Sequence, residues 1–177
     1  QLALNLGLAY TMYVIGKVSF TAAQAGMIEA GALTKAETGS IGGVFWLVYA
    51  IGQLIGTFIV NRISPYVLIE IAVVGSATSN LLMACTDNYM VMLVVWCLGG
   101  VSQFGLWSAI LKLNAEKLDD KHRRVLTTYL AYAYGLATVL SNMLSSWVLS
   151  VLSWRYIFIF SGIICAAALP GVLVSHR

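Results

Sequence analysis

The chain has 177 residues and a formal net charge of +3, with 60% hydrophobic and only 10% charged residues. A water-soluble domain contains roughly 25% charged residues, so this composition excludes a soluble globular protein. Apolar runs of about 20 residues match the hydrocarbon thickness of a bilayer, whereas a membrane β-barrel needs short alternating segments that this sequence lacks. The sequence therefore predicts an all-α integral membrane protein.

Six apolar spans are predicted, each ended by polar or turn residues. Their approximate bounds are 2–25, 41–60, 66–85, 89–113, 125–151 and 155–174. The first apolar run starts at Gln1 without a preceding basic segment. We therefore predict no cleavable signal peptide and a natural chain that begins further upstream.

The first span contains a lysine, Lys17, in the stretch YVIGKVSF. A charged side chain at bilayer depth costs about 2.5–3.5 kcal/mol on insertion scales, so it avoids lipid and faces a cavity or a partner. Tyr13 lies four residues earlier and shares its helical face. We predict that Lys17 attracts an anionic substrate group. The alternatives are an internal ion pair, a lysine held by backbone carbonyls, or a group that takes part in proton coupling.

The second span offers a polar face and a motif of small residues. Tyr49 and Gln53 are four residues apart and are predicted to face the same cavity. Gln53 would donate to and accept from a substrate, or else hydrogen-bond to a neighbouring helix. Gly52 and Gly56 form a GxxxG motif, which predicts the close approach of another helix.

The loop after the second span contains Asn61 and Arg62, and Glu70 lies one turn into the third span. An ion pair between Arg62 and Glu70 would form a gating contact between the ends of two helices. A weak surface ion pair is the alternative.

The fourth and fifth spans supply further candidates. Gln103 and Trp107 lie four residues apart, which predicts an aromatic wall with a polar group beside it, or else ordinary helix packing. Tyr134 lies inside the fifth span and is predicted to face the cavity, because tyrosines nearer helix ends are more often anchors at the membrane surface.

The loop cations are unevenly distributed, which predicts the orientation of the chain. One side holds only Lys35 and Arg155. The other side, with the C-terminus, holds Arg62, Lys112, Lys117, Lys121, Arg123, Arg124 and Arg177. We therefore expect a multi-pass protein of the cell membrane with both chain ends in the cytoplasm. The segment EKLDDKHRR mixes acidic and basic residues, which indicates a solvated loop and not a nucleic-acid site.

No pattern in the sequence predicts an enzyme, a cofactor or a metal site. Cys85, Cys97 and Cys165 lie in apolar runs without CxxC spacing and are predicted to be small core residues. His122 and His176 lie far from the cysteines in the sequence, and no carboxylate pair or nucleotide-binding glycine loop occurs within a span. A channel is disfavoured because no ring of charges or filter-like segment is present.

Two motifs flank the second and sixth spans. SWRYIFIFSG places Trp154, Arg155 and Phe158 in a W-R-x-x-F pattern. GTFIVNRISP places Arg62 after the second span, as in a G-x-x-x-D-R loop, with Asn61 at the aspartate position of that pattern. With six spans in this order, the chain resembles the N-terminal six-helix half of a major facilitator superfamily transporter. The resemblance implies a 3+3 inverted repeat, a C-terminal half outside this chain, and a substrate site at the interface of the halves.

The first span carries a closer resemblance. Tyr13, Lys17 and Phe20 resemble the Y-x-x-R-K-x-x-F segment of the organophosphate:phosphate antiporters, the glycerol-3-phosphate and hexose-phosphate transporters, with Gly16 at the arginine position. GGVSQFGLW, 99–107, resembles their fourth helix. The resemblance implies that the first, second, fourth and fifth helices surround the cavity.

Two other basic positions of these antiporters differ in this chain. The lysine of their second helix falls at Gln53 and the histidine of their fifth helix at Tyr134, so Lys17 is the basic group that remains. The resemblance implies transport of a small organic anion, a phosphate ester or a carboxylate, by alternating access. A membrane receptor that uses the transporter fold to sense a ligand, and a proton-coupled carrier of neutral solutes, are the alternatives.

Overall fold

The computed structural model describes residues 2–176, and their side chains as far as residue 174. Gln1 and Arg177, one of the predicted cytoplasmic cations, lie outside the described residues. Residues 2–176 form eight helices and no strand: α1 (Leu2–Glu29), α2 (Lys35–Ile59), α3 (Pro65–Met83), α4 (Tyr89–Ser102), α5 (Leu106–Lys117), α6 (Asp120–Val151), α7 (Arg155–Ala167) and α8 (Leu169–His176).

The fourth and sixth predicted spans are each divided into two helices. Residues 103–105 separate α4 from α5, and Ala168 separates α7 from α8. Pro170 follows the second break and has no N–H to donate to the preceding turn, which explains an interruption there. Both segments are apolar on either side of the break, so hydrophobicity alone predicts single spans.

Four helical segments are long and apolar enough to cross a membrane: Lys35–Ile59, Pro65–Met83, Tyr89–Lys117 and Arg155–Val174. The two remaining helices, α1 and α6, have 28 and 32 residues, which exceeds the length that a bilayer core requires. They are more polar, since α1 contains Lys17 and α6 begins with the charged segment DKHRR.

Helices α1 and α3 lie at the centre of the bundle. α1 packs against α6 and α7, α3 packs against α7, α4 and α5, and α2 packs against α4. Two clusters of buried apolar side chains fill the interior, one around Val14 and Ile110 and the other around Phe20 and Trp96. Along α1, Lys17 lies between Val14 and Val18 of the first cluster, and the second cluster begins at Phe20.

Helix α2 begins six residues before the predicted span because of a capping box. The Thr34 hydroxyl accepts a hydrogen bond from the Glu37 N–H (3.3 Å), and the Thr34 N–H donates to a Glu37 carboxylate oxygen (2.8 Å). This reciprocal pair satisfies N–H groups that the first turn of a helix leaves free.

The charged loop between α5 and α6 is ordered by Arg123. Its guanidinium donates to the carbonyl oxygens of Ala115 (2.8 Å) and Leu118 (3.2 Å), at the C-terminal end of α5. A cation at this end also complements the helix dipole. Nearby, a hydrogen bond with His122 lowers the pKa of the Asp119 carboxyl below its ordinary value. The predicted solvated loop thus also closes a helix end.

The predicted core role of the cysteines is confirmed for Cys165 and is wrong for Cys85. Cys165 is buried, Cys97 is half-buried, and Cys85 is exposed in the loop that follows α3. The apolar run continues past the last residue of α3, Met83, which is why the sequence pattern includes Cys85 in the span.

Candidate functional site

A cavity of about 300 Å³ opens among α1, α2, α5 and α6. Among the described residues that line it, Lys17 is the only charged one, and aromatic side chains form most of the wall. The lining residues are Tyr10, Tyr13, Val14, Lys17, Tyr49, Gln53, Leu106, Trp107 and Tyr134. The structure therefore brings six of the seven residues predicted to bind substrate to one cavity: Lys17, Tyr13, Tyr49, Gln53, Trp107 and Tyr134.

The Lys17 ammonium is surrounded by aromatic rings. Its Nζ lies 3.6 Å from the ring centroid of Tyr49 and 4.7 Å from that of Trp46. The rings of Tyr13 and Tyr134 are each 5.9 Å away. The side chain is only 7% exposed. No residue within the described range forms an ion pair or a hydrogen bond with it, so the ring faces supply the compensating negative potential.

Trp46 contributes to this environment although it is absent from the predicted set. It lies three residues before Tyr49 and seven before Gln53, on the same face of α2. The helical spacing that links Tyr49 to Gln53 therefore also includes Trp46. The position of Trp46 in the sequence, three residues before Tyr49, was therefore sufficient to predict it on this face.

Gln103 lies behind the cavity wall, where it fixes two of the lining residues. It is 2% exposed and is not among the residues that line the cavity. The Tyr13 hydroxyl donates to its side-chain carbonyl oxygen (3.0 Å), and the Gln53 amide donates to its main-chain carbonyl oxygen (2.9 Å). Gln103 therefore orients Tyr13 and Gln53 in place of forming the polar part of an aromatic wall with Trp107.

The predicted close approach at the GxxxG motif occurs at the break between α4 and α5. A Cβ atom on Gly56 would lie 1.9 Å from the Phe104 carbonyl oxygen, and one on Gly52 would lie 3.1 Å from the Phe104 Cβ. Only glycine lets α2 come this near to another main chain. This contact also brings Gln53 within reach of Gln103.

Trp107 and Tyr134 form the open side of the cavity, and both are exposed. The Trp107 ring packs on Tyr10, with 5.6 Å between the ring centroids. Tyr10 in turn lies beside Tyr13, with 6.2 Å between their rings. A continuous aromatic surface therefore extends from the buried lysine to the cavity mouth.

The loop between α2 and α3 is held by a lysine of α5. The Lys112 ammonium donates to the Val60 carbonyl oxygen (3.0 Å) and to the Asn61 side-chain oxygen (3.2 Å). Arg62 is exposed, and its pairing with Glu70 in a gating contact stays a prediction. Val60 and Asn61 thus link this loop to α5 through Lys112.

Arg155 stabilises the opposite end of the bundle. Its guanidinium donates to the Ala84 carbonyl oxygen (2.7 Å), forms an ion pair with Asp87, and lies 4.7 Å from the Trp154 ring centroid. Trp154 itself packs edge-on against Phe158. The W-R-x-x-F pattern therefore ties the loop after α3 to the start of α7.

Helices long enough to cross a bilayer, packed around a half-open cavity with a buried cation, define a multi-pass membrane protein with a candidate ligand site. The sequence matches the Major Facilitator Superfamily over residues 4–176. The chain belongs to this family.

Two relatives illustrate its position within the family. The probable 4-methylmuconolactone transporter of Cupriavidus pinatubonensis is 30% identical over 138 residues, which is 76% of this chain and 32% of that protein. The probable hexose phosphate transport protein of Chlamydia trachomatis is 20% identical over 161 residues, or 91% of this chain and 35% of that protein. The chain spans about a third of the length of these relatives. The match to a hexose phosphate transport protein confirms the predicted resemblance to the organophosphate antiporters.

A solved structure shows the same fold. A bacterial homologue of the human lysosomal transporter Spinster, in an inward-facing and occupied conformation, matches with a TM-score of 0.78 and 18% identity, covering 97% of this chain and 42% of that chain. The predicted fold class, an all-α half of the major facilitator fold, is confirmed.

Proposed function

We propose that this chain is the N-terminal half of a secondary active transporter that moves a small organic anion, a phosphate ester or a carboxylate, across the cell membrane by alternating access. The main support is the Lys17 ammonium, a cation without an ionic partner among the described residues, held at the inner end of the cavity. A buried cation of this kind attracts an anion more strongly than an exposed one, because water screens it less.

The substrate would lie between this half and a second six-helix half. The chain covers 32% and 35% of two relatives, and their names refer to 4-methylmuconolactone and hexose phosphate, both small organic solutes. In the major facilitator fold the site lies near the bilayer midplane where the repeats meet. We propose that the second half, in the same polypeptide or as a partner, closes the open side at Trp107 and Tyr134.

The loop residues have a separate proposed role in this scheme. Asn61, Arg62 and Glu70 lie at the end of the bundle where the predicted cytoplasmic loops meet, and Arg155 lies at the other end. Opening and closing of the cavity would rearrange the contacts at these ends. We propose that they act in gating and in holding the loops, without touching the substrate.

Lys17→Gln tests the proposal. In proteoliposomes that contain the complete transporter, the substitution should weaken anion binding by about 10–100-fold, the effect of losing one hydrogen bond to a charged group. Lys17→Arg is the matched control, because it keeps the charge and should retain part of the affinity. Unchanged affinity of the Lys17→Gln variant for the transported anion would refute the assignment.

Counterflow separates transport from sensing. A transporter loaded with unlabelled anion takes up labelled anion against its gradient, whereas a receptor with the same fold binds the anion and exchanges none. The presence of Asn61 at the family's aspartate position is the feature that favours the receptor. Binding without exchange would establish the receptor function in place of transport.

A further inference from the structure

We infer that the preferred ligand of this cavity is a monocarboxylate with a planar, ring-containing body, and that sugar phosphates bind more weakly. This inference rests on the proposed function, since it assumes that Lys17 binds an anion. It goes further by choosing between the carboxylate and the phosphate ester.

The first observation is the amount of positive charge. Lys17 is the sole cation that the described part of the chain places on the cavity wall. Its Nζ already lies 3.6 Å from the Tyr49 centroid and 4.7 Å from the Trp46 centroid, so two ring faces offset part of its charge. The single positive charge of one lysine balances the single negative charge of one carboxylate. A phosphate ester carries nearly two charges near pH 7, and the second would stay uncompensated in a region shielded from water.

The second observation is the chemistry of the wall. The rings of Tyr10, Tyr49, Trp107 and Tyr134 line the path from the mouth to Lys17, and Val14 and Leu106 complete it. Flat aromatic surfaces favour stacking with a planar ligand. A ligand that combines one anionic group with an unsaturated or aromatic ring matches both the cation and the rings.

The third observation is that two of the polar side chains of the lining, Tyr13 and Gln53, already form hydrogen bonds with Gln103. The Tyr13 hydroxyl donates to the Gln103 side chain and the Gln53 amide donates to the Gln103 main chain. These donors are therefore directed away from the cavity. A sugar phosphate carries several hydroxyls, and each hydroxyl that loses water without gaining a partner weakens binding.

The test compares three anions with the complete transporter in proteoliposomes. Binding of benzoate, cyclohexanecarboxylate and glucose 6-phosphate is measured by calorimetry, and each is tried as the counterflow substrate. We expect benzoate to bind at least about tenfold more tightly than glucose 6-phosphate, the cost of roughly one unpaired charged group. The binding affinity for benzoate should also exceed that for cyclohexanecarboxylate by about 2–10-fold, which is the contribution of ring stacking.

The outcomes separate this inference from the proposed function. Glucose 6-phosphate binding as tightly as benzoate would overturn the inference and leave the anion transporter intact, and it would indicate a second cation supplied by the other half. If none of the three anions binds, the proposed function itself fails. Equal binding of benzoate and cyclohexanecarboxylate would overturn the role of the rings.

Trp107 provides the matched variants. It lies at the mouth of the cavity and makes no close contact with Lys17, so its replacement leaves the cation in place. Trp107→Leu should reduce the preference for benzoate over cyclohexanecarboxylate, with the remaining tyrosine rings keeping part of it, whereas Trp107→Phe should retain most of it. An unchanged preference in a folded Trp107→Leu protein would contradict the inference.

Discussion

At the residue scale, the buried Lys17 ammonium is stabilised by the aromatic rings around it. The glycine before it, Gly16, occupies the place where the organophosphate antiporters carry an arginine. Gly16 faces α3 and α7, where a Cβ atom would lie 2.3 Å from the Cys165 thiol sulfur and 2.8 Å from the Ser76 hydroxyl oxygen. There is no room for a second cation at this position. Gly16 faces these two helices and is not among the residues that line the cavity.

Gly16→Ala should destabilise the protein. The thiol of Cys165 donates to the Met12 carbonyl oxygen (3.2 Å), so it is not free to move away from an added methyl group. Overpacking at such a buried site costs about 1–3 kcal/mol. Thermal unfolding in detergent should show a lower midpoint for this variant.

Gly135→Ala is the control for that measurement. Gly135 lies in α6, and a Cβ atom there would have no neighbour within 4 Å. Alanine favours a helix over glycine by about 1 kcal/mol, so this variant should be neutral or slightly more stable. Equal unfolding midpoints for the Gly16 and Gly135 variants would show that the space around Gly16 can hold a methyl group.

At the element scale, the break between α4 and α5 organises the site. The irregular segment 103–105 lets Gln103 receive hydrogen bonds from α1 through Tyr13 and from α2 through Gln53. The same segment accepts the close approach of Gly56. Three helices are thus positioned by one short interruption of a span that hydrophobicity predicts to be continuous.

Gly56→Ala should separate α2 from this segment. Its Cβ would lie 1.9 Å from a main-chain oxygen, that of Phe104, so the main chains themselves must move apart. We expect a loss of stability of up to about 3 kcal/mol, because the atoms nearest to the added Cβ belong to the main chain of Phe104 and Gly105 and not to a flexible side chain. Transport should also fall, since the hydrogen bond from Gln53 to Gln103 lengthens when the helices separate.

Gly43→Ala tests whether these effects are specific to the contact. Gly43 lies in the same helix with no atom within 4 Å of an added Cβ, so stability and transport should stay close to wild type. The assignment of the contact would be wrong if the two substitutions had the same effect on unfolding and on uptake.

At the scale of the whole molecule, the charge distribution and the exposed cysteine give a test of orientation. Lys121 lies on the side that carries most loop cations, whereas Cys85 lies in the loop at the opposite end of α3. The excess of lysine and arginine predicts that the first side is cytoplasmic. Cys85 should therefore face the exterior.

An impermeant maleimide applied to intact cells should label Cys85. In a Cys85→Ser background, a cysteine introduced by Lys121→Cys should react only after the membrane is permeabilised. The Cys85→Ser protein without the second substitution is the control. It should show no labelling from outside, because Cys165 is buried and Cys97 is half-buried within α4, a predicted span that an impermeant reagent does not enter. The reverse pattern would invert the proposed orientation.

The sequence alone determined the membrane class, the family resemblance and most of the cavity wall. These follow from local properties: the length of apolar runs, the cost of one lysine in the bilayer, and the helical spacing that groups Tyr13 with Lys17 and Tyr49 with Gln53. The same helical spacing also predicts that Trp46 lies on the face of Tyr49 and Gln53.

Only the tertiary structure decided that Gln103 orients the site from behind the wall, that Gly16 leaves no space for a second cation, and that aromatic rings compensate Lys17. Each depends on contacts between distant residues, since Gln103 lies 90 positions from Tyr13 and 50 from Gln53. Helical periodicity shows which residues share a face, but the packing of the other helices determines what that face meets.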